Sequence, residues 1–317
     1  MPWFDLPLDQ LREYRTLTLE PSGLDSWWGR QIAEARELAQ PPKLTRHEPE
    51  LYAPLEVYDA EFSGARGDRI RAWYIKPEGP ARKTIVNFIG YGGGRGAPSE
   101  HALTAALGYA VFVMDSRGQG GRWTTGATGD NGPGPELSQV MTRGIMDPEN
   151  YYYTRMFTDA VRAVDTALEL GSEPTVAVSG GSQGGALSLA AAALASDSVS
   201  LCHADVPFLC DIQRAITLTE SAPYSEIPEF LNENVDLIEV ALNTLKYIDC
   251  ALLARRITAQ TLVSVGLMDE VCPPSTVFAA YNEITASKDI SIYPYSGHAV
   301  PHANAEVKLR HLRKHFS

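Results

Sequence analysis

The segment Val176-Ala177-Val178-Ser179-Gly180-Gly181-Ser182-Gln183-Gly184-Gly185-Ala186 sets a serine among glycines in the pattern Gly-x-Ser-x-Gly. The apolar residues before it read as a strand and the small residues after it as a helix, which is the setting of a nucleophile elbow. A serine on so tight a turn has strained backbone angles, so its neighbours must lack bulky Cβ substituents. A hydroxyl attacks only when a base takes its proton, and that base needs an acid to orient it. At an elbow of this kind the chain order is serine, acid, histidine. Of the seven histidines, His298, His302, His311 and His315 follow every plausible acid. His298, on a loop after the last apolar run and preceded by Gly297, is the expected base, with His302 as the fallback. His311 and His315 stand i, i+4 in a basic terminal stretch. That spacing could hold a metal, but no glutamate follows the first histidine as in a zincin, and a solvated helix surface is the expectation there. Asp269, closing the run Leu262-Val263-Ser264-Val265-Gly266-Leu267-Met268, is the expected acid. Asp205, closing Leu201 to Ala204, is the runner-up, and would otherwise be a cap or a buried hydrogen-bonding partner.

Acyl transfer through such a serine also needs two backbone N–H groups aimed at the developing oxyanion. One is that of Gln183, the residue after the nucleophile. The other comes from the loop Ile89-Gly90-Tyr91-Gly92-Gly93-Gly94, from Tyr91 or alternatively Gly92. The same loop carries a rival pattern. Gly92-Gly93-Gly94-Arg95-Gly96-Ala97 fits G-x-G-x-x-A, and Asp115 ends the next apolar run where a dinucleotide fold keeps its ribose-binding acid. Pro98 and Ser99 open the following helix late for that reading, so no nicotinamide cofactor and no metal is expected.

These residues are positioned by strands and helices that take turns along the chain. Strands are expected at Leu55–Phe62 and Ile70–Ile75, joined by the turn-rich residues 63–68, then at Thr84–Ile89, Ala110–Met114, Thr175–Ser179, Leu201–Ala204, Leu262–Val265 and Ile290–Tyr293. Helices are expected at Leu103–Leu107, Thr158–Leu170, Ala186–Ala195 and Val277–Ile284. Short apolar strands alternating with helices imply an α/β fold with a mostly parallel sheet covered on both faces. Residues 1–50 read as a helical arm rather than as sheet, with helices at Leu6–Tyr14 and Ser26–Leu38. The Gly-, Pro- and Tyr-rich stretch Trp123–Tyr153 and the mainly helical insertion 221–256 interrupt the rhythm of one domain spanning 1–317.

The chain has 317 residues, 44% of them hydrophobic and 21% charged, which excludes disorder. Its net charge of −12 argues against nucleic acid as a partner, since phosphate binding needs a basic face. No run of 18 apolar residues suggests a membrane span, and the first residues lack the charged-then-apolar order of a signal segment. Cys202, Cys210, Cys250 and Cys272 show no Cys-x-x-Cys spacing and are expected as free thiols. A cytoplasmic protein with a small-molecule substrate is the expectation.

Beyond these readings, the sequence resembles the acetyl xylan esterase and cephalosporin C deacetylase group, carbohydrate esterase family 7. The resemblance rests on Arg117-Gly118-Gln119-Gly120, Gly180-Gly181-Ser182-Gln183-Gly184-Gly185 and Met141-Thr142-Arg143-Gly144-Ile145-Met146-Asp147-Pro148. It extends through Tyr151-Tyr152-Tyr153, Phe157 to Val164, Asp205-Val206-Pro207-Phe208-Leu209-Cys210, and Gly266-Leu267-Met268-Asp269-Glu270-Val271-Cys272-Pro273-Pro274-Ser275-Thr276. It implies an α/β-hydrolase fold, a serine deacetylase with the triad Ser182, Asp269 and His298, oxyanion donors at Tyr91 and Gln183, and no cofactor. It also implies a homohexamer whose active sites face an inner cavity, favouring small acetylated substrates over polymeric xylan. Two positions depart from the family pattern: Ala299 stands where a glutamate usually follows the histidine, and Ile89 where a histidine often precedes the oxyanion tyrosine. Arg117 and Gln119 are expected as scaffolding, since a guanidinium in a near-buried loop ties carbonyls and carboxylates together. Trp123, Pro223 and Val271 are candidates for the wall of the acyl pocket.

Overall fold

A computed structural model describes residues 3–131 and 139–316. Among these, nine strands make one sheet: β1 (Lys43–Arg46), β2 (Leu55–Ser63), β3 (Arg69–Pro77), β4 (Thr84–Phe88), β5 (Ala110–Met114), β6 (Val176–Gly181), β7 (Val199–Asp205), β8 (Gln260–Gly266) and β9 (Lys288–Tyr293). Their spatial order is β1-β2-β3-β5-β4-β6-β7-β8-β9. The first three strands and the β3–β5 pair are antiparallel, and every pair from β5 to β9 is parallel.

Alternation of side chains along the central strands explains how both faces are covered. Val86, Val178 and Cys202 join one core with residues of the helices Tyr152–Leu170 and Gln183–Leu194. Their neighbours Ile85, Ala177 and Leu201 turn to the other face, where Leu312 and Phe316 of the C-terminal segment pack on them. The helix Leu24–Glu37 of the arm stacks Trp28 on Phe157, with ring centroids 6.0 Å apart. The same indole N–H donates to the Tyr247 carbonyl at 2.9 Å, tying the arm to the 221–256 insertion. The insertion is helical at Glu226–Glu233, Ile238–Leu245 and Cys250–Leu253.

Three expectations need correction. The arm is not free of sheet: Lys43–Arg46 forms the edge strand β1, pairing Lys43 with Glu61 and Arg46 with Tyr58. All four of its residues are exposed, so no apolar alternation marks it, and backbone pairing alone makes it a strand. The long helix begins at Tyr152 rather than Thr158, within the stretch read as loop. Its N-cap, Tyr151, makes no side-chain cap and its first turn holds no acid, so no start signal marks it. Residues 132–138 of that stretch lie outside the described residues. His311 is not solvated either: it is buried, its Nδ1 3.0 Å from Nε2 of His203, and burial holds both imidazoles below their ordinary range. The His315 ring lies tilted against that of His311, with centroids 4.6 Å apart.

Behind the loop that follows β5 lies a buried charge cluster. Arg117 donates from Nε and Nη2 to the two oxygens of Asp159 at 2.6 and 2.8 Å, and from Nη1 to Asp68 at 2.9 Å and Asp130 at 3.2 Å. Asp130 also accepts from Arg155 at 2.6 Å and pairs with Arg143 at 3.0 Å. Burial works against the Arg117 guanidinium, but the carboxylates, Asp159 foremost, outweigh it and raise its pKa. One side chain thus ties the β2–β3 turn, the loop after β5 and the long helix together. Replacing Arg117 with Met should leave Asp159 buried without its counter-charge and cost about 3–5 kcal/mol of stability, read by urea denaturation. A loss below about 1 kcal/mol would contradict the scaffolding role.

Candidate active site

Ser182 sits between β6 and the helix Gln183–Leu194 with φ 55° and ψ −119°, a conformation that L-residues rarely adopt. Three backbone hydrogen bonds hold it there. Its N–H donates to the Asp205 carbonyl at 2.9 Å, and its carbonyl accepts from Phe208 and Ala186 at 3.0 Å each. Glycine is obligatory on both sides: a Cβ on Gly180 would lie 2.4 Å from the Gly184 backbone, and one on Gly184 would lie 2.3 Å from the Phe88 carbonyl oxygen.

Ser182 Oγ is 2.9 Å from His298 Nε2, and His298 Nδ1 is 2.9 Å from Asp269 Oδ2. Asp269 is fully buried, and its Oδ1 accepts from the N–H groups of Val271 and Cys272 at 2.8 and 2.9 Å. The acid's loop follows β8 and the base's loop follows β9. The Met268 N–H donates to the Ser296 carbonyl at 3.0 Å, and Gly266 permits this approach, because a Cβ there would meet the Gly297 oxygen at 2.4 Å. The sequence-expected serine, acid and histidine are therefore brought together in one chain of contacts.

The alternatives lie elsewhere. Asp205 accepts from Ser264 Oγ at 2.8 Å, Asn304 Nδ2 at 2.7 Å and Lys308 Nζ at 2.6 Å, so its carboxylate anchors the helix Ala303–His315 rather than His298. His302 immediately precedes that helix, lining a separate cavity of about 380 Å³. Asp115 accepts from Arg95, Ser116, Ala127 and Thr128, which leaves its carboxylate committed to the protein rather than to a ribose.

Gln183 opens its helix, so its backbone N–H has no partner in the helical ladder and sits at the positive end of the helix, next to Ser182. Its amide is wholly buried: Oε1 accepts from Tyr153 Oη at 2.9 Å and from Gln119 Nε2 at 2.8 Å, while Nε2 donates to the Ile89 carbonyl at 3.1 Å. Gln119 Oε1 accepts the Gly92 N–H at 2.7 Å. That engages Gly92 within the protein and leaves Tyr91 as the loop's candidate oxyanion donor. The Ile89 carbonyl gives the loop an anchor that needs no histidine side chain at this position. Tyr91 Oη donates to Glu226 Oε1 at 2.7 Å, and Glu226 Oε2 accepts from the Met141 N–H at 3.2 Å. Burial first, and then Glu226, raises the Tyr91 phenol pKa; burial raises the Glu226 carboxyl too. Glu226 escaped the sequence reading because a single glutamate in a helical insertion belongs to no pattern. The Tyr153 contact escaped because three consecutive tyrosines do not reveal which one faces the site.

A cleft of about 660 Å³ opens onto Ser182 and His298, and Tyr91, Trp123, Pro223, Val271 and Ala299 line it. Trp123 is 60% exposed, against the usual fate of a lone tryptophan in a core. Its ring covers the glycine loop, leaving no space for a Cβ on Gly93, and its Nε1 donates to the Tyr91 carbonyl at 3.0 Å. Arg117 lies behind the cleft and Gln119 beneath the oxyanion loop. No helix among the described residues is long and apolar enough to cross a membrane.

A mostly parallel sheet with a strained serine at the strand-to-helix turn, and loops at the carboxyl ends of β4, β8 and β9 meeting over it, defines an α/β-hydrolase. The comparisons carry this to the family. The family model described as Acetyl xylan esterase (AXE1) matches residues 1–315. The acetyl xylan esterase from Paenibacillus sp. R4 superposes with a TM-score of 0.90 at 33% identity, over 98% of this chain and 100% of that one. Acetyl xylan esterase 1 from Thermoanaerobacterium sp. JW/SL YS485 gives 0.90 at 34% identity, over 99% and 100%. The acetyl esterase Axe7A of Xylanibacter ruminicola is 29% identical over 312 residues, 94% of this chain and 68% of that protein. The chain belongs to the acetyl xylan esterase family and is a carboxylic ester hydrolase.

Replacing Gln119 with Ala should leave the Gly92 N–H and the Gln183 amide short of a partner, at a cost of about 1–3 kcal/mol. If the loss falls on oxyanion alignment, kcat for an acetyl ester should drop by roughly ten- to a hundredfold with KM nearly unchanged. An unchanged kcat would show that the Tyr91 loop holds its place without this amide.

Proposed function

We propose that this protein is a serine esterase that removes acetyl groups from small acetylated carbohydrates, such as xylo-oligosaccharides, and from cephalosporin C-like esters. The observation that carries the reading is the unbroken contact chain Ser182–His298–Asp269 at the foot of the cleft. Ser182 attacks the acetyl carbonyl while His298 Nε2 takes its proton. The tetrahedral oxyanion rests on the Gln183 and Tyr91 N–H groups, which are fixed in place before charge develops and so reorganise little. His298 then protonates the departing sugar oxygen. Water enters, His298 takes its proton, and attack on the acetyl-enzyme releases acetate and free Ser182. Asp269, held by two backbone N–H groups, keeps the imidazole proton on Nδ1 and stabilises the imidazolium that forms.

The names of the relatives support an acetyl substrate, as does the wall of the cleft. Val271 and Pro223 line the same cleft as Ser182, where they would limit the acyl chain, and the opening past Trp123 would take the alcohol portion. A general short-chain carboxylesterase would share the same machinery and differ in this wall. A non-catalytic protein would have no use for the fully assembled contact chain.

Ser182→Ala should lower kcat by roughly 10³ or more with the fold intact, and Asp269→Asn by about 10³–10⁴. Asp205→Asn should keep kcat within about tenfold, since that carboxylate serves the C-terminal helix. An inactive Asp205→Asn beside an active Asp269→Asn would reverse the assignment of the acid.

Acyl preference is tested with kcat/KM across p-nitrophenyl esters of two, three, four and eight carbons. A methylene that fits a pocket gains on the order of 1 kcal/mol, whereas one that clashes loses alignment with the nucleophile. Acetyl should be best, with a steep fall towards butyryl, and Val271→Ala should shift the profile to longer chains. A maximum at four or eight carbons in the unaltered protein would contradict the deacetylase reading.

A further inference from the structure

The ester chemistry gives Cys272 no task, yet its thiol lies against the reacting groups. The loop after β8 turns back on Asp269, whose Oδ1 holds the Cys272 N–H at 2.9 Å. This turn sets Sγ within 4.8 Å of a ring nitrogen of His298, whose Nε2 is 2.9 Å from Ser182 Oγ. Sulfur thus lies next to the imidazole that holds the hydroxyl. Sγ of Cys272, a carboxylate oxygen of Asp269 and a ring nitrogen of His298 all lie within 4.8 Å of one another. The other three cysteines are also buried, but among the described residues only this one joins such a group.

We propose that Cys272, His298 and Ser182 form a binding site for a thiophilic divalent cation of the Zn²⁺ and Cd²⁺ class, which switches the enzyme off by occupying base and nucleophile together. Sulfur and imidazole donors suit these ions. Bonds of about 2.0–2.3 Å in a tetrahedral set place the donors roughly 3.5 Å apart, so the cluster needs to close by about an ångström. Binding forms a metal–sulfur and a metal–nitrogen bond. The thiol proton leaves to solvent, and the ion sheds water in exchange. The Ser182 hydroxyl or a retained water completes the set. Asp269 stays outside it, because Oδ1 already accepts two N–H groups and Oδ2 accepts from Nδ1 of His298. It orients the ring in the carboxylate–histidine–metal arrangement common at such sites. The cation enters through the cleft, where His298 is 30% exposed.

This site shares Ser182 and His298 with the proposed reaction, so its test needs a readout that does not depend on turnover. In chelator- and thiol-free buffer, Zn²⁺ is titrated against p-nitrophenyl acetate hydrolysis, each protein normalised to its own metal-free rate. In parallel, Cd²⁺ is titrated while the ultraviolet cadmium–thiolate charge-transfer band is followed in resting protein. Expected are inhibition competitive with the ester and reversed by EDTA, and a band that saturates at one ion per chain. Cys272→Ala and Cys272→Ser should both abolish the band and raise the inhibitory Zn²⁺ concentration at least about tenfold, since even a lost outer contact costs that much affinity. Cys202→Ser, far from the cluster, should retain both effects. Equal inhibition of Cys272→Ala and the parent, or no thiolate band in the parent, would overturn the site. A protein that shows the band but hydrolyses no ester would overturn the esterase reading and leave the metal site standing.

Discussion

The backbone at Ser182 is the constraint on which the site depends. Holding a non-glycine residue at φ 55° and ψ −119° costs on the order of 1–3 kcal/mol, and the surrounding structure must over-determine it. It does so with the three backbone bonds to Asp205, Phe208 and Ala186, and with two glycines that leave space where side chains would collide with Gly184 and Phe88. The return is geometric. The turn projects Oγ at the carboxyl end of the sheet towards His298, and in the same step starts the helix Gln183–Leu194.

The same economy recurs in the polar residues beneath the loops. The Gln183 backbone follows the nucleophile while its side chain, linked to Gln119, Tyr153 and the Ile89 carbonyl, joins the two loops proposed to supply the oxyanion N–H groups. Gln119 in turn takes the Gly92 N–H, and Glu226 holds the Tyr91 phenol from the helical insertion. The insertion thus bears on the oxyanion loop directly and on the cleft wall through Pro223. Behind them, Arg117 and its carboxylates tie the β2–β3 turn and the long helix to the loop that carries Gln119.

Much of this was legible in the sequence, for physical reasons. Strands buried on both faces read as short apolar runs, so β4 to β8 stood out, and the order of Ser182, Asp269 and His298 follows from where strands end. What escaped had no local signature. β1 is exposed at every residue and exists through backbone pairing with β2. The start of the long helix has no capping side chain and no acid in its first turn. His311 looked like surface because basic residues flank it, yet it turns towards His203 on β7. The acid was separable from Asp205 only by placement, since both close an apolar run. The thiol of Cys272 comes beside His298 because a loop folds back on Asp269, and no spacing rule encodes that.

The central claim is that one strained turn presents a single activated serine between His298 and two backbone N–H groups. It is tested most directly by treating the full chain with a fluorophosphonate and mapping the adduct by peptide mass spectrometry. One phosphonyl group per chain, on Ser182 and dependent on His298, is the predicted result. Ester hydrolysis that persists without a Ser182 adduct, or an adduct on another residue that abolishes activity, would contradict it.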